Sequence, residues 1–284
     1  MISSVFDYAR ATSLDDAIAR LQAAHGAAKL IAGGHSLVPL MKLRLSEPQA
    51  LVDIARIRGL SGIREKDGKI EIGATTVHHD VATSSLLRSK CPGVADAAAD
   101  IGDPQVRNRG TLGGSLAHAD PAADYPAVML AVDAEIHMKG PKGWRVVKAD
   151  RFFQDLFTVD MAPDEIIAGV QFAPARATAY AKLRQRASHY AIVGVAAALQ
   201  VSGGTIQSAR VGLTGAGPYA MRLTGVEQAL AGQPLTPAVL EAAAQRAGAD
   251  LTRVNADIHA SEAYRRAMIP VFPRRALEGA MRRV

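Results

Sequence analysis

Two diglycine stretches, Ala32-Gly33-Gly34-His35-Ser36 and Thr111-Leu112-Gly113-Gly114-Ser115, stand about 80 residues apart and constrain the fold more than any other feature of the chain. Glycine pairs make poor core, since they bring no side chain to pack and lose the most backbone freedom on folding. They suit places where backbone approaches a ligand closely, and successive N–H groups in such a loop converge on one anion. The apolar run Lys29-Leu30-Ile31 before the first pair reads as the end of a buried strand. Hydroxyls flank the second pair, which lies between the basic run Arg107-Asn108-Arg109 and the carboxylates Asp120 and Asp124. Either stretch alone reads equally well as a tight turn. Neither contains the Gly-Lys-Ser/Thr of the nucleotide-hydrolase phosphate loop, and together they point to a ligand with two phosphates on which both loops close.

The remaining signals divide the chain, which at 284 residues is too long for one ordinary core. Ser13, followed by Asp16 and by Leu14, Ala17, Ile18 and Leu21 at helical spacing, predicts a capped helix that Gly26 ends. With strands at 29–32 and 51–54 this makes a small αβ unit, 1–57. Asp67-Gly68 between Ile63–Lys66 and 69–72 is a hairpin signal. Thr75 or Thr76 is expected to cap a helix running towards Ser89 and stopped by Pro92, with another helix over 94–101. A second hairpin, 134–138 with 144–148, and a strand at 165–172 complete a unit 58–177. Beyond it, strands at 179–186, 193–201 and Thr205–Thr214 read as an antiparallel meander. Helices at 221–230, 237–247 and after Ser261 close a unit 178–284, with Pro270 and Pro273 splitting or kinking the last.

Several functions are disfavoured. No run of about 18 apolar residues occurs and Met1-Ile2-Ser3-Ser4-Val5-Phe6-Asp7 lacks the regions of a signal peptide, so the expectation is a cytoplasmic chain with no transmembrane segment. Cys91 is the single cysteine, which excludes an internal disulfide and any cysteine-ligated cluster held by this chain alone, and is expected to be a small buried residue. The net charge of +6 lies mostly in the tail, where Arg253, Arg265, Arg266, Arg274, Arg275, Arg282 and Arg283 face only three acids. These arginines come largely as pairs on a helical pattern with no interleaved aromatics, which favours a solvated helix or an acidic partner over nucleic acid. Gly215-Ala216-Gly217-Pro218-Tyr219-Ala220 fits a dinucleotide fingerprint, but it follows a meander and lacks the parallel strand ending in an acid. His78-His79-Asp80 and His118-Ala119-Asp120 have no third ligand at matching spacing, so solvated or capping histidines are expected there and no metal site.

The stretch from Ala32-Gly33-Gly34-His35-Ser36 through Lys42, with Thr111 to Ser115 and Asp120-Pro121 to Asp124, resembles the FAD-binding medium subunit of the molybdenum hydroxylases, the xanthine dehydrogenase and aerobic carbon monoxide dehydrogenase family. The likeness runs from Phe6-Asp7-Tyr8 to Ala263-Tyr264-Arg265-Arg266, nearly the whole chain. It implies an α+β fold: an FAD-binding module of the vanillyl-alcohol oxidase (PCMH) type in two αβ subdomains, then a C-terminal domain of a three-stranded antiparallel sheet with helices. It implies that Lys29, Leu30, Ile31, Ala32, Gly33, Gly34, His35, Ser36 and Leu37 wrap the pyrophosphate, and that Thr111, Gly113, Gly114 and Ser115 add backbone and hydroxyl contacts. Asp124 matches an acidic contact to FAD, with helix capping as the other reading, and Ile167 an apolar or backbone contact. Lys182 matches a basic contact near the flavin, with a surface cation on an edge strand as the other reading, and Tyr190 an aromatic position approaching the ring. His35 stands where many relatives have glutamine, and Ser115 where some have asparagine.

The implied role is electron relay within a heterohexamer, a dimer of heterotrimers. A large subunit holds a molybdenum-pterin cofactor, a small subunit two [2Fe–2S] clusters, and FAD on this chain passes electrons to an acceptor. No substrate-oxidising residue is then expected here. The rival readings are a self-sufficient flavin oxidase or reductase with substrate directly over the ring, and a non-enzymatic basic binding module.

Overall fold

In the computed structural model, which describes residues 2–284, three main sheets follow one another along the chain. The first is parallel: β1 (Asp7–Arg10) and β2 (Ala28–Ile31) flank β3 (Ala50–Asp53), with α1 (Leu14–Ala23) and α2 (Leu37–Lys42) in the crossovers. α1 starts where the sequence predicts, its Ser13 hydroxyl accepting from Asp16 N–H at 3.1 Å, and it buries Ala17, Ile18 and Leu21 as one apolar stripe.

The second sheet opens with the hairpin of β4 (Ile63–Lys66) and β5 (Lys69–Gly73). Its turn residues Asp67 and Gly68 both have positive φ, as a two-residue turn requires. A helical stretch follows: α3 (His78–Thr83), α4 (Ser85–Lys90), α5 (Pro92–Ala99), α6 (Pro104–Arg107), α7 (Leu112–His118) and α8 (Asp124–Ala131). β6 (Glu135–Gly140) and β7 (Gly143–Lys148) form the next hairpin, and α9 (Ala149–Phe152) leads to a ribbon of β8 (Phe153–Asp155) and β9 (Thr158–Val159). β10 (Ile166–Phe172) then inserts between β5 and β6, giving the antiparallel order β4-β5-β10-β6-β7.

The third sheet is antiparallel, β11 (Thr178–Arg184), β12 (Ala191–Ser202), β13 (Thr205–Thr214) and β14 (Met221–Arg222) in that order. α10 (Thr224–Leu230), α11 (Pro237–Ala244), a 3-10 turn at Gln245–Asp250, α12 (Glu262–Met268) and α13 (Val271–Met281) finish the chain. α8 is buried along its whole length against α5, β12 and β13, and so joins the core of the second sheet to the third. Contact there is close enough that a Cβ on Gly212 would lie 2.1 Å from Ala127 O.

Five local expectations are corrected. Ser84 breaks the helix expected to run to Ser89, and its hydroxyl caps α4 by accepting from Leu87 N–H at 3.3 Å. Neither Thr75 nor Thr76 caps α3; Val77 takes that position, and Thr76 Oγ1 accepts instead from Gly62 N–H at 2.9 Å. Pro92 begins α5 rather than stopping a helix, since its missing N–H is harmless at a first helical position. Met221 and Arg222 form a fourth, two-residue strand, so α10 begins later than predicted. The second diglycine stretch is not a loop: Gly113 and Gly114 lie in the first turn of α7. The proline expectation is met, with α12 and α13 separated at Pro270. Among the described residues no helix is long and apolar enough to cross a membrane.

Candidate functional site

Between the sheets lies a cavity of about 1290 Å³, above the ~300–1,000 Å³ of ordinary small-ligand clefts. Both diglycine stretches line it, as do Ile167 of β10 and residues 187–190 beyond β11. All of 29–37, with Thr111, Gly113, Gly114, Ser115, Asp124, Ile167 and Tyr190, are on its wall. The two stretches meet directly. A Cβ on Gly33 would fall 2.3 Å from Arg109 O and 2.8 Å from Gly110 Cα, so only glycine lets the strand end pack on the turn before α7.

The stretches differ in what their backbones offer. The amides of Ala32 to Leu37, six in succession, donate to no acceptor among the described residues. Gly34, at φ +75, turns the chain within that run. Unsatisfied successive N–H groups at the mouth of a cavity are the donor set an anion requires. In the second stretch the amides of Leu112, Gly113, Gly114 and Ser115 are engaged within the protein, while Thr111 N–H has no acceptor among the described residues. Leu112 N–H donates to Thr76 O at 3.0 Å and Gly113 N–H to Ala74 O at 2.8 Å, while Gly114 N–H donates to the capping hydroxyl of Thr111 at 3.2 Å. Gly113 is needed for proximity, because its Cβ would sit 2.5 Å from that of Ala74. The fit to a diphosphate therefore rests on the first loop, with the second supplying a close-packed wall.

Lys182 has a side chain that is 0 % exposed, so the surface-cation reading is not met. It is not on the wall: its side chain is fully buried behind it, with Nζ 2.8 Å from Asp124 Oδ1. Nζ donates further to Asp100 O at 2.7 Å and His189 O at 2.8 Å, and His189 Nδ1 lies 2.8 Å from Gly102 O. The ammonium thus ties 185–190, and with it Tyr190, to the turn after α5. Asp124 does not cap α8; it accepts from Lys182 and from the Tyr180 hydroxyl at 2.5 Å. Burial pushes its carboxyl up to about 6, against the opposing pull of Lys182.

His78, expected to be a solvated or capping residue, is 5 % exposed. Its Nδ1 lies 3.2 Å from the Tyr125 hydroxyl, its ring lines the cavity, and burial pushes it down to about 4. Thr75, another wall residue, offered by the sequence only as a helix cap, has a buried hydroxyl with no partner among the described residues. The fingerprint-like segment Gly215 to Ala220 is held by protein groups, Asn255 Nδ2 donating to Gly217 O at 2.6 Å and Arg265 Nη1 to Gly215 O at 2.9 Å.

Comparison with known proteins follows this geometry. Residues 4–174 match the family model described as the FAD binding domain in molybdopterin dehydrogenase, and 178–280 match the CO dehydrogenase flavoprotein C-terminal domain. The chain is 39% identical over 286 residues to the carbon monoxide dehydrogenase medium chain of Hydrogenophaga pseudoflava, covering 100% of this chain and 99% of that one. It is 38% identical over 282 residues to the 6-hydroxypseudooxynicotine dehydrogenase complex subunit alpha of Paenarthrobacter nicotinovorans, covering 98% and 95%. The solved Hydrogenophaga pseudoflava carbon monoxide dehydrogenase that lacks the Mo-pyranopterin moiety superposes with a TM-score of 0.95 at 40% identity, covering 100% and 99%.

Proposed function

The chain belongs to the family of FAD-binding medium subunits of the carbon monoxide dehydrogenase and xanthine dehydrogenase type, an oxidoreductase subunit, and on that premise we propose that it carries the FAD by which electrons from a partner's [2Fe–2S] clusters leave the complex. The observation that carries this reading is the run of six amides from Ala32 to Leu37, without acceptors among the described residues, on the wall of a dinucleotide-sized cavity. Those amides hold the diphosphate, and the close contact of Gly33 with Arg109 and Gly110 keeps the loop in place. Bound FAD supplies the redox chemistry, accepting electrons and passing them on. The residues of this chain orient it: the strap 185–190, tethered by Lys182 and His189, sets Tyr190 over one part of the cavity, and Ile167 presents apolar surface.

The partners in this reading are a large subunit with the molybdenum-pterin cofactor and a small subunit with two [2Fe–2S] clusters, two copies of each with two of this chain. The sequence supports the division of labour, since a lone cysteine gives no ligand set for a cluster. Relatives are named for substrates as different as carbon monoxide and 6-hydroxypseudooxynicotine, which fits a substrate pocket on another polypeptide. Purifying the native complex and assaying flavin, molybdenum and iron tests the proposal. The expected result is one FAD per copy of this chain, with substrate reducing the flavin in the complex and not in the isolated chain. Substrate-dependent reduction in the isolated chain would point to a self-sufficient flavin oxidase instead.

A further inference from the structure

The turn from β5 into α3 carries two residues of the cavity wall, Thr75 and His78, each with a polar atom that the described residues leave without a hydrogen-bond partner. Thr75 is 6 % exposed and its hydroxyl has no partner. His78, three residues on, uses Nδ1 toward Tyr125 at 3.2 Å, while its Nε2 has no hydrogen-bond partner among the described residues. The direction of the Nδ1 bond follows from Tyr125, which is fully buried and whose hydroxyl has no hydrogen-bond partner other than His78 among the described residues. Were Nδ1 protonated, the phenolic hydrogen would be left without an acceptor in the interior, an arrangement that is strongly disfavoured. The phenol therefore donates to Nδ1, and the proton of a neutral ring sits on Nε2.

That nitrogen is at the junction of the two loops. A Cβ on Gly110 would lie 2.5 Å from His78 Nε2, and Gly110 Cα is the atom that a Cβ on Gly33 would approach at 2.8 Å. His78 N–H also donates to Gly110 O at 3.0 Å, which fixes the start of α3 against this turn. Burial disfavours protonation of the ring, with His35 of the first loop and Arg107 of α6 acting in the same direction. The surroundings are thus electropositive, with the unpaired amides of the first loop alongside.

We propose that His78 is a cofactor-binding residue, held as the Nε2–H tautomer by Tyr125 so that it donates a hydrogen bond to a diphosphate oxygen of FAD. The proposal rests on the FAD reading above. Tyr125 is a positioning residue, acting only through the ring it holds. A neutral donor suits the place, because burial in an electropositive pocket resists a further positive charge while leaving the N–H available.

The test uses the full chain labelled with 15N-histidine, His78 being assigned by the signal missing in His78→Gln. Long-range proton–nitrogen spectra at pH 7 are expected to show Nε2 protonated and Nδ1 bare before FAD is added, and the Nε2 signal is expected to move on titration with FAD. His78→Phe should weaken FAD binding by roughly tenfold, the loss of one hydrogen bond to a charged acceptor, and His78→Gln should recover part of it. The phosphorus resonances of bound FAD should differ between His78→Gln and the unsubstituted chain. In Tyr125→Phe the proton should redistribute towards Nδ1, a change that a purely structural role for Tyr125 would not produce. A proton found on Nδ1, or FAD bound with the His78 nitrogen signals unmoved, overturns the proposal even if His78→Phe fails to fold. Failure of the folded chain to bind FAD at all would instead refute the function proposed above.

Discussion

Lys182 Nζ lies 2.8 Å from Asp124 Oδ1, with the two side chains 0 % and 5 % exposed. The pair links β11 of the third sheet to the first turn of α8 behind the cavity wall, and its remaining hydrogen bonds reach the Tyr180 hydroxyl and the carbonyls of Asp100 and His189. A buried ion pair adds little net stability over a well-packed apolar substitute, whereas removing one partner strands a charge in the interior.

Lys182→Met should therefore lower stability by about 3–5 kcal/mol, and Asp124→Asn combined with Lys182→Met should recover most of that loss. Urea unfolding of the two single variants and the double variant measures the coupling. Simple additivity of two small effects would mean that the pair contributes nothing as a unit.

Acid should destabilise the protein through His78. Its folded value is depressed from 6.5 to about 4, so the unfolded chain takes up the proton first as pH falls. The stability is fully present above pH 6.5 and is lost as pH drops through that value towards 4, by about 3 kcal/mol in all. Unfolding curves between pH 7 and 4 should show this slope, and His78→Gln should flatten it. An equal slope in both proteins would place the loss elsewhere.

Gly33→Ala should both weaken flavin binding and destabilise the fold. The added methyl meets backbone, Arg109 O at 2.3 Å, so the loop or the turn must move, with a penalty of roughly 1–3 kcal/mol. Thermal unfolding together with an FAD titration reads both effects. A variant that melts with the native protein and binds FAD normally would show that the two loops are not pressed together.

Cys91 should be inert in the native state. It is fully buried beside Thr178, and burial pushes its thiol up to about 11, so little thiolate exists at pH 8. A colorimetric thiol reagent should react only after urea is added. Prompt reaction in the absence of urea would contradict the packing around α5.

The sequence carried the first loop well, because two glycines after an apolar strand leave the backbone donors with nowhere local to bond. It carried the second loop less well. Gly113 and Gly114 read as an open phosphate loop, yet Ala74 O and the Thr111 hydroxyl take their amides, and Ala74 is distant in sequence. β1 escaped notice for a similar reason: Asp7-Tyr8-Ala9-Arg10 is exposed along most of its length and alternates no apolar face, and only parallel pairing of Asp7 with Ala50 makes it a strand. His78 read as a solvated or capping residue because no third ligand stands at matching spacing, and nothing local reveals that Tyr125 will cover it. Lys182 matched a flavin contact by position, and nothing local reveals that its ammonium pairs with Asp124, 58 residues earlier. Pro92 carried two meanings, stop or first helical residue, and tertiary packing selected the second.

The central claim is that the amides of the first loop, and not those of the second, receive the cofactor's diphosphate. Titrating the 15N-glycine-labelled full chain with FAD tests it most directly. The Gly33 and Gly34 amide signals should shift and saturate at one FAD per chain, while the Gly113 and Gly114 amides stay protected from hydrogen exchange before and after. Saturable FAD binding with Gly33 and Gly34 unmoved, or a folded chain that binds no FAD, would contradict the account.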